Sequence, residues 1–182
     1  SELEDVLRRA KKLVEDVHRD NKRVTEELEK LARELHKKNE DVLRELKKLA
    51  DDLREMLKRG DLREEDIKRV RTEIRKLLED VRETNKRLIE RIKDLSERVR
   101  EINEEVIKEM EELLEDLRRR DGDDEKVKRL EEEIRRLARE LRESVRRHKE
   151  RTEELVERLK ESLKKLEEDI RRLEKELEDD RR

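Results

Sequence analysis

Apolar residues recur every 18 positions along this chain, and that spacing constrains the fold more than any other feature. In the first third, the apolar positions follow each other in steps of 3, 4, 3, 4 and 4 residues before the pattern repeats. Eighteen residues make about five turns of an α-helix, at roughly 3.6 residues per turn. Because a left-handed coiled coil needs a period of about 3.5 residues, the repeat predicts nearly straight helices.

The two glycines, Gly60 and Gly122, divide the chain into three parts of nearly equal length, and there is no proline. Short turns at these glycines make successive helices antiparallel neighbours. The predicted fold is therefore all-α: a long, nearly straight up-down-up three-helix bundle that forms a single domain over residues 1–182. The predicted helices cover about residues 2–59, 62–120 and 123–180.

The ends of each predicted helix carry residues that are typical of helix caps. Gly60 and Gly122 suit the left-handed position that follows a helix. Hydroxyl and acidic side chains accept hydrogen bonds from the first free backbone N–H groups of a helix. The residues predicted to cap the three helices in this way are Ser1, Asp61 and Asp123.

The composition excludes several classes of protein. Charged residues make up 61% of the chain, with 54 basic against 57 acidic side chains and no Cys, Phe, Trp or Tyr. Without Cys there is no thiolate chemistry, and without aromatic rings there is no base-stacking platform. The mixed charges and short apolar runs argue against nucleic-acid and membrane partners. We therefore expect no cofactor and no metal, and a soluble chain, cytoplasmic when expressed recombinantly, with no natural location.

A few uncharged polar residues interrupt the apolar stripes, and several recur at the same 18-residue spacing. His18 and His36 form one such couple, and Asn21 and Asn39 form another. Aligning the helices by depth, with numbers that sum to about 121 across the first turn, groups these residues into three predicted buried layers. The layers are His18, Asn21, Asn103 and Ser144; His36, Asn39, Asn85 and Ser162; and Thr25, Ser96, His148 and Thr152.

We interpret the layers as buried hydrogen-bond networks, because buried polar groups need partners and a satisfied network disfavours helix slippage. A metal site is disfavoured: Glu15 and His18 have the spacing of di-iron proteins, but Glu15 lies outside the stripe and its 18-residue equivalent is Arg33. A catalytic triad is disfavoured too, since no core Asp would orient a His. We expect no catalytic residues and no enzyme activity.

The three histidines allow a pH-responsive alternative. Burial penalises the charged imidazolium, so a buried His resists protonation. Stability would then fall as the pH drops below about 6.5, the ordinary pKa of His. We expect acid to loosen the predicted layers without unfolding the bundle.

The tripeptide Arg59–Gly60–Asp61 resembles integrin-binding loops. Such ligands need the Asp carboxylate to be free for a metal ion. Because Asp61 is predicted to cap the second helix, the sequence favours a purely structural role for these residues.

Equal helices, glycine-only turns and an 18-residue core repeat with paired polar elements resemble de novo designed parametric helical bundles with built-in hydrogen-bond networks. The resemblance covers the whole chain and implies a hyperstable scaffold without natural activity, monomeric and needing no partner. The alternative is a designed interaction or assembly module that self-associates into a homo-oligomer, accepts a helical partner in trans, or responds to pH through its histidines.

Overall fold

The computed structural model describes residues 2–121 and 124–180, and three helices account for almost all of them. Helix α1 covers Glu2–Arg59, α2 covers Glu64–Asp121 and α3 covers Glu125–Asp180. No strand occurs within the described ranges. The all-α, three-helix-bundle prediction is confirmed. Helix α2 begins two residues later than the sequence predicts, and so does α3.

Contacts between the helices divide the chain into two compact units. Unit 1 consists of residues 1–29 and 92–153, and unit 2 consists of residues 30–91 and 154–182. Each unit takes one segment from each of the three helices. The single-domain interpretation stays a prediction.

All three helices contribute to the core of unit 1. Ala10 of α1, Met110 of α2, and Ile134 and Leu141 of α3 are fully buried. Partly buried side chains such as Leu113 pack against this cluster. Apart from the buried Glu131, the charged residues of these segments are exposed or partly exposed, as a single apolar stripe on each helix requires.

The core of unit 2 is built in the same way. Leu46 of α1, Ile74 of α2 and Ile170 of α3 are buried in one cluster. Leu77 and Leu163 are partly buried against it. In both units, leucine, isoleucine and valine supply most of the core cluster, joined in unit 1 by alanine and methionine, and no aromatic side chain contributes.

Ion pairs join neighbouring helices at the surface of each unit. In unit 1, Arg142 of α3 contacts Glu111 of α2 at 2.7 Å. In unit 2, Arg82 of α2 donates to Glu167 of α3 at 2.8 Å. That bond raises the pKa of the Arg82 guanidinium. Such exposed pairs contribute about 0–1 kcal/mol each, so the cores hold the helices together.

The turn between α1 and α2 is longer than the sequence predicts, because it has residues 60–63 between the helix ends. Gly60 has φ +73, and its N–H donates to Leu57 O at 3.2 Å. The N–H of Asp61 donates to Met56 O at 3.2 Å. These two bonds form a Schellman motif, which confirms the predicted role of Gly60.

The prediction that Asp61 caps α2 is wrong. Asp66 takes the capping role: one of its carboxylate oxygens accepts a bond from the Arg63 backbone N–H at 3.3 Å. Asp61 already belongs to the motif that ends α1, and the chain needs two further residues to reverse direction. The capping carboxylate therefore lies five residues further along the chain than predicted.

The start of α3 is capped by Asp124. Its side chain accepts a bond from the Lys126 N–H at 3.1 Å, and its carbonyl accepts one from Lys128. This is the N-cap arrangement that short acidic side chains favour. The caps predicted at Ser1 and Asp123 and the C-cap predicted at Gly122 lie outside the described residues.

Charged residues occur along the whole length of all three helices. Over residues 2–121 and 124–180, no helix is long and apolar enough to cross a lipid bilayer.

Candidate functional site

Two asparagines form a reciprocal pair of hydrogen bonds in unit 1. The Nδ2 of Asn21 donates to Asn103 Oδ1 at 3.1 Å, and the Nδ2 of Asn103 donates back to Asn21 Oδ1 at 2.8 Å. The Nδ2 of Asn103 also donates to Val99 O, one helical turn earlier, at 2.6 Å. Both Asn103 donors are thus satisfied, as a fully buried amide requires.

Unit 2 repeats this arrangement 18 residues away. The Nδ2 of Asn39 donates to Asn85 Oδ1 at 3.1 Å, and the Nδ2 of Asn85 donates to Asn39 Oδ1 at 2.9 Å. The second donor of Asn85 reaches Val81 O at 2.7 Å. The two pairs differ in burial, since Asn39 is buried whereas Asn21 is half-buried.

The predicted places of His18 and His36 in these layers are wrong. Both side chains are exposed, and His36 Nε2 lies 3.0 Å from Glu40 Oε1 on its own helix. In each of these two layers the asparagines bond to each other, Asn21 to Asn103 and Asn39 to Asn85.

Two physical reasons explain why His18 and His36 lie outside the asparagine pairs. The paired asparagines have residue numbers that sum to 124 rather than about 121, because the turn between α1 and α2 is two residues longer than predicted. At about 100° per residue, His18 also lies roughly 40° beyond the buried Val14 around α1, at the edge of the stripe. A polar ring at that edge turns towards water.

Ser144 and Ser162 do not join the asparagine pairs. Both serines are half-buried. Within the part of the chain that the structure describes, neither forms a hydrogen bond with an asparagine. The polar contacts at these two levels thus connect α1 with α2 and leave α3 out.

The third predicted group replaces apolar residues of the repeat. His148 stands 18 residues from Leu130 and from Leu166, both of which are buried. Thr152 stands at the same spacing from Ile134 and Ile170. The structure therefore directs both polar side chains towards the core: Thr152 is buried and His148 is half-buried.

These four residues do not form a connected network. The Oγ1 of Thr152 donates to the backbone carbonyl of His148 at 2.8 Å, within its own helix. Thr25 and Ser96 are half-buried, and no hydrogen bond links them to the other two within the described ranges. The predicted four-residue layer is therefore wrong as a hydrogen-bonded unit.

His148 is the least satisfied polar group in this region. Its Nε2 is buried and has no hydrogen-bond partner. Burial lowers the pKa of His148 below its ordinary value of 6.5, and the nearby positive charge of Arg151 lowers the pKa further. Arg151 itself donates to Glu29 of α1. His148 thus favours the neutral form near neutral pH.

Sequence reasoning missed one buried carboxylate, Glu131 in unit 1. It is 8% exposed, and its Oε2 lies 3.7 Å from Arg118 Nε and 3.6 Å from an Arg135 nitrogen. Two guanidinium groups offset the cost of burying this charge. Its spacing was a usable signal: Glu131 is four residues after Val127 and seven before Ala138, which places it at the edge of the α3 stripe at about 100° per residue.

The described side chains offer little for metal chemistry or catalysis. No group of three or more His, Asp or Glu residues among them could hold a metal ion. His18 lies beside an open surface groove of unit 1, together with Glu140, Ser144 and several α3 arginines. Open charged grooves of this kind do not exclude water, which a catalytic site normally does.

Comparison with known proteins finds a solved structure of similar fold, described as a computationally designed three helix bundle. The similarity has a TM-score of 0.80 and covers 98% of this chain and 90% of that chain, at 22% sequence identity. No protein-family model matches this chain, and neither does any curated protein. At this level of identity the similarity shows the fold alone.

Proposed function

We propose that this protein is a designed structural scaffold whose buried asparagine pairs specify the register of α1 against α2. The single observation that carries the proposal is the reciprocal amide pair, present in both units with the same partners and nearly the same distances. Each pair occupies core positions that an apolar residue would otherwise fill.

The energetic reason is that an unpaired buried amide is costly. If α1 slipped against α2 by one helical turn, Asn85 would lie against Leu35 or Leu43 instead of Asn39. Each amide left without a partner in the core costs about 1–3 kcal/mol. Apolar contacts tolerate such a slip far better, because leucine and valine side chains repack with small loss.

The experiment replaces both pairs with leucine in one chain, through Asn21→Leu, Asn39→Leu, Asn85→Leu and Asn103→Leu. Because the chain has no Cys, two introduced cysteines carry spin labels at exposed sites, Lys38 on α1 and Lys86 on α2. We expect the distance distribution between the labels to broaden or split, while the helix content stays high.

The matched control exchanges apolar residues only, through Leu46→Ile with Ile74→Leu, at two buried positions of unit 2. It should keep a single narrow label distance, as the parent chain does. An unchanged distance distribution in the quadruple variant would overturn the register role of the asparagines.

The monomeric state of the scaffold is part of the same proposal. The chain lacks Trp and Tyr, so its mass is best measured by light scattering with refractive-index detection after size-exclusion chromatography. A mass near 22.5 kDa at all concentrations supports the monomer. A multiple of that mass would favour an assembly module instead.

A further inference from the structure

The exposed turn Arg59–Gly60–Asp61 is the feature that the scaffold function does not use. All three residues are exposed. The sequence argued against a binding role on one ground, that the Asp61 carboxylate would be occupied as the cap of α2. In the structure Asp66 provides the cap, so this argument against a binding role of Asp61 no longer holds.

Both charged groups of the turn are available to a partner. Within the part of the chain that the structure describes, the Asp61 carboxylate accepts no hydrogen bond and joins no ion pair. The Arg59 guanidinium lies 3.4 Å from Glu55, in a pair whose members are 67% and 66% exposed. Such a pair is worth about 0–1 kcal/mol, so an incoming acidic group can displace Glu55.

The backbone of the turn is held in one conformation. The N–H groups of Gly60 and Asp61 are both bonded to the last turn of α1, and Gly60 has the positive φ that this motif requires. A helix on either side anchors the turn. A ligand segment that is ordered before it binds loses less entropy on binding.

We propose that Arg59–Gly60–Asp61 is a binding site for an adhesion receptor of the integrin type. Such a partner has two complementary groups: a divalent cation that the Asp61 carboxylate coordinates, and an acidic pocket that takes the Arg59 guanidinium. A hard divalent cation prefers carboxylate oxygen, and guanidinium pairs with carboxylates through two parallel bonds. This proposal is independent of the scaffold function.

The test measures binding of the full chain to an immobilised integrin ectodomain in buffer containing Mn²⁺, by surface plasmon resonance. We expect saturable binding that chelation of the cation with EDTA abolishes. Asp61→Glu keeps the charge but displaces the carboxylate by one methylene group, and should weaken binding by at least about tenfold. Arg59→Lys removes the bidentate geometry and should also weaken binding about tenfold.

Matched controls separate this site from other parts of the chain. Asp52→Glu changes an exposed acidic residue of α1 outside the tripeptide and should leave binding unchanged. The sequence Arg120–Asp121–Gly122–Asp123 has the same residue types in another order, and it is unchanged in every variant. Binding that depended on residue types alone would therefore persist in Asp61→Glu.

Three outcomes would overturn the proposal: no saturable binding by the parent chain, binding that survives EDTA, or equal binding by the parent chain and Asp61→Glu. Circular dichroism of each variant checks that the helices are intact. Because the substituted side chains are exposed, the mass from light scattering should not change. The scaffold function is tested separately by the spin-label distances.

Discussion

Asn85 and Asn103 show how much a single buried amide depends on its partner. Both are 0% exposed, and both use one donor for an asparagine of α1 and one for a carbonyl of α2. Their partners differ: Asn39 is buried, but Asn21 is half-buried and reaches water. The loss of the amide partner should therefore cost more free energy for the buried Asn39 than for the half-buried Asn21.

This difference predicts unequal effects of two identical substitutions. Asn85→Leu leaves Asn39 buried without its amide partner and should lower the free energy of unfolding by about 1–3 kcal/mol. Asn103→Leu leaves Asn21, which water can satisfy, and should cost about 1 kcal/mol less. Urea denaturation of both variants measures the difference. Equal losses would show that Asn21 is not solvated when its partner is gone.

The lowered pKa of His148 predicts a pH dependence of stability. Because the folded-state pKa lies below 6.5, the unfolded chain takes up this proton first as the pH falls. The contribution of His148 is thus complete above about pH 6.5 and is lost as the pH drops towards the folded pKa. One group changes stability by at most about 1.4 kcal/mol per pH unit, and partial exposure keeps the slope smaller.

His148→Leu tests this dependence and restores the residue type of Leu130 and Leu166. It should remove the acid sensitivity that His148 causes and raise stability at pH 7 by about 1 kcal/mol, because the unpartnered Nε2 is gone. Urea titrations between about pH 5 and pH 7 measure both effects. The matched control is His18→Gln at an exposed position, which should leave the slope unchanged. An unchanged slope in His148→Leu would contradict the assignment.

At the scale of the elements, the turn between α1 and α2 sets which residues face each other. Four residues, 60–63, lie between the two helices. The Schellman motif at Gly60 ends α1, and the Asp66 cap begins α2. Each of these contacts is local, yet together they set the levels at which the asparagines meet.

The helix cap offers a prediction with a built-in control. Asp66→Ala removes the acceptor for the Arg63 N–H and an acidic group from the first turn of α2, and should destabilise the chain by about 1 kcal/mol. Asp61→Ala changes an exposed residue whose carboxylate caps nothing, and should be neutral within about 0.5 kcal/mol. Thermal or urea unfolding followed by circular dichroism measures both. A larger loss for Asp61→Ala than for Asp66→Ala would restore Asp61 as the cap.

At the scale of the whole molecule, the high charge content has little effect on stability. The chain is 61% charged with a net charge of −3. Interhelical ion pairs such as Arg54–Glu176 and Arg120–Glu2 are at exposed positions, and the buried Glu131 is the exception among the described carboxylates. Exposed pairs are weak and screened by salt. The apolar cores of the two units supply the favourable free energy.

Salt therefore should change the free energy of unfolding by no more than about 1–2 kcal/mol between low salt and about 1 M NaCl. Urea denaturation at the two salt concentrations measures it, since urea adds no ions. A loss of several kcal/mol in high salt would mean that charge pairs, rather than apolar burial, hold the helices together.

The sequence by itself determined the three helices, the position of the first glycine turn and the apolar character of the core. These features depend on short-range periodicity and on the backbone preferences of single residues. The asparagines were also predictable as interior residues, because they occupy positions at the centre of the stripes. The cap at Asp66 was less predictable, since it depends on the length of the turn.

Only the tertiary structure decided which polar residues meet. The turn between α1 and α2 is two residues longer than expected, which changes the residues of α1 that face a given level of α2. Asn103 and Asn85 therefore form hydrogen bonds with Asn21 and Asn39, and the histidines stay outside the pairs. The rotation of each helix about its own axis decided that His18, at the edge of a stripe, faces water whereas His148, near the centre of one, faces the core. Register and rotation depend on the packing of all three helices at once, so no local pattern determines them.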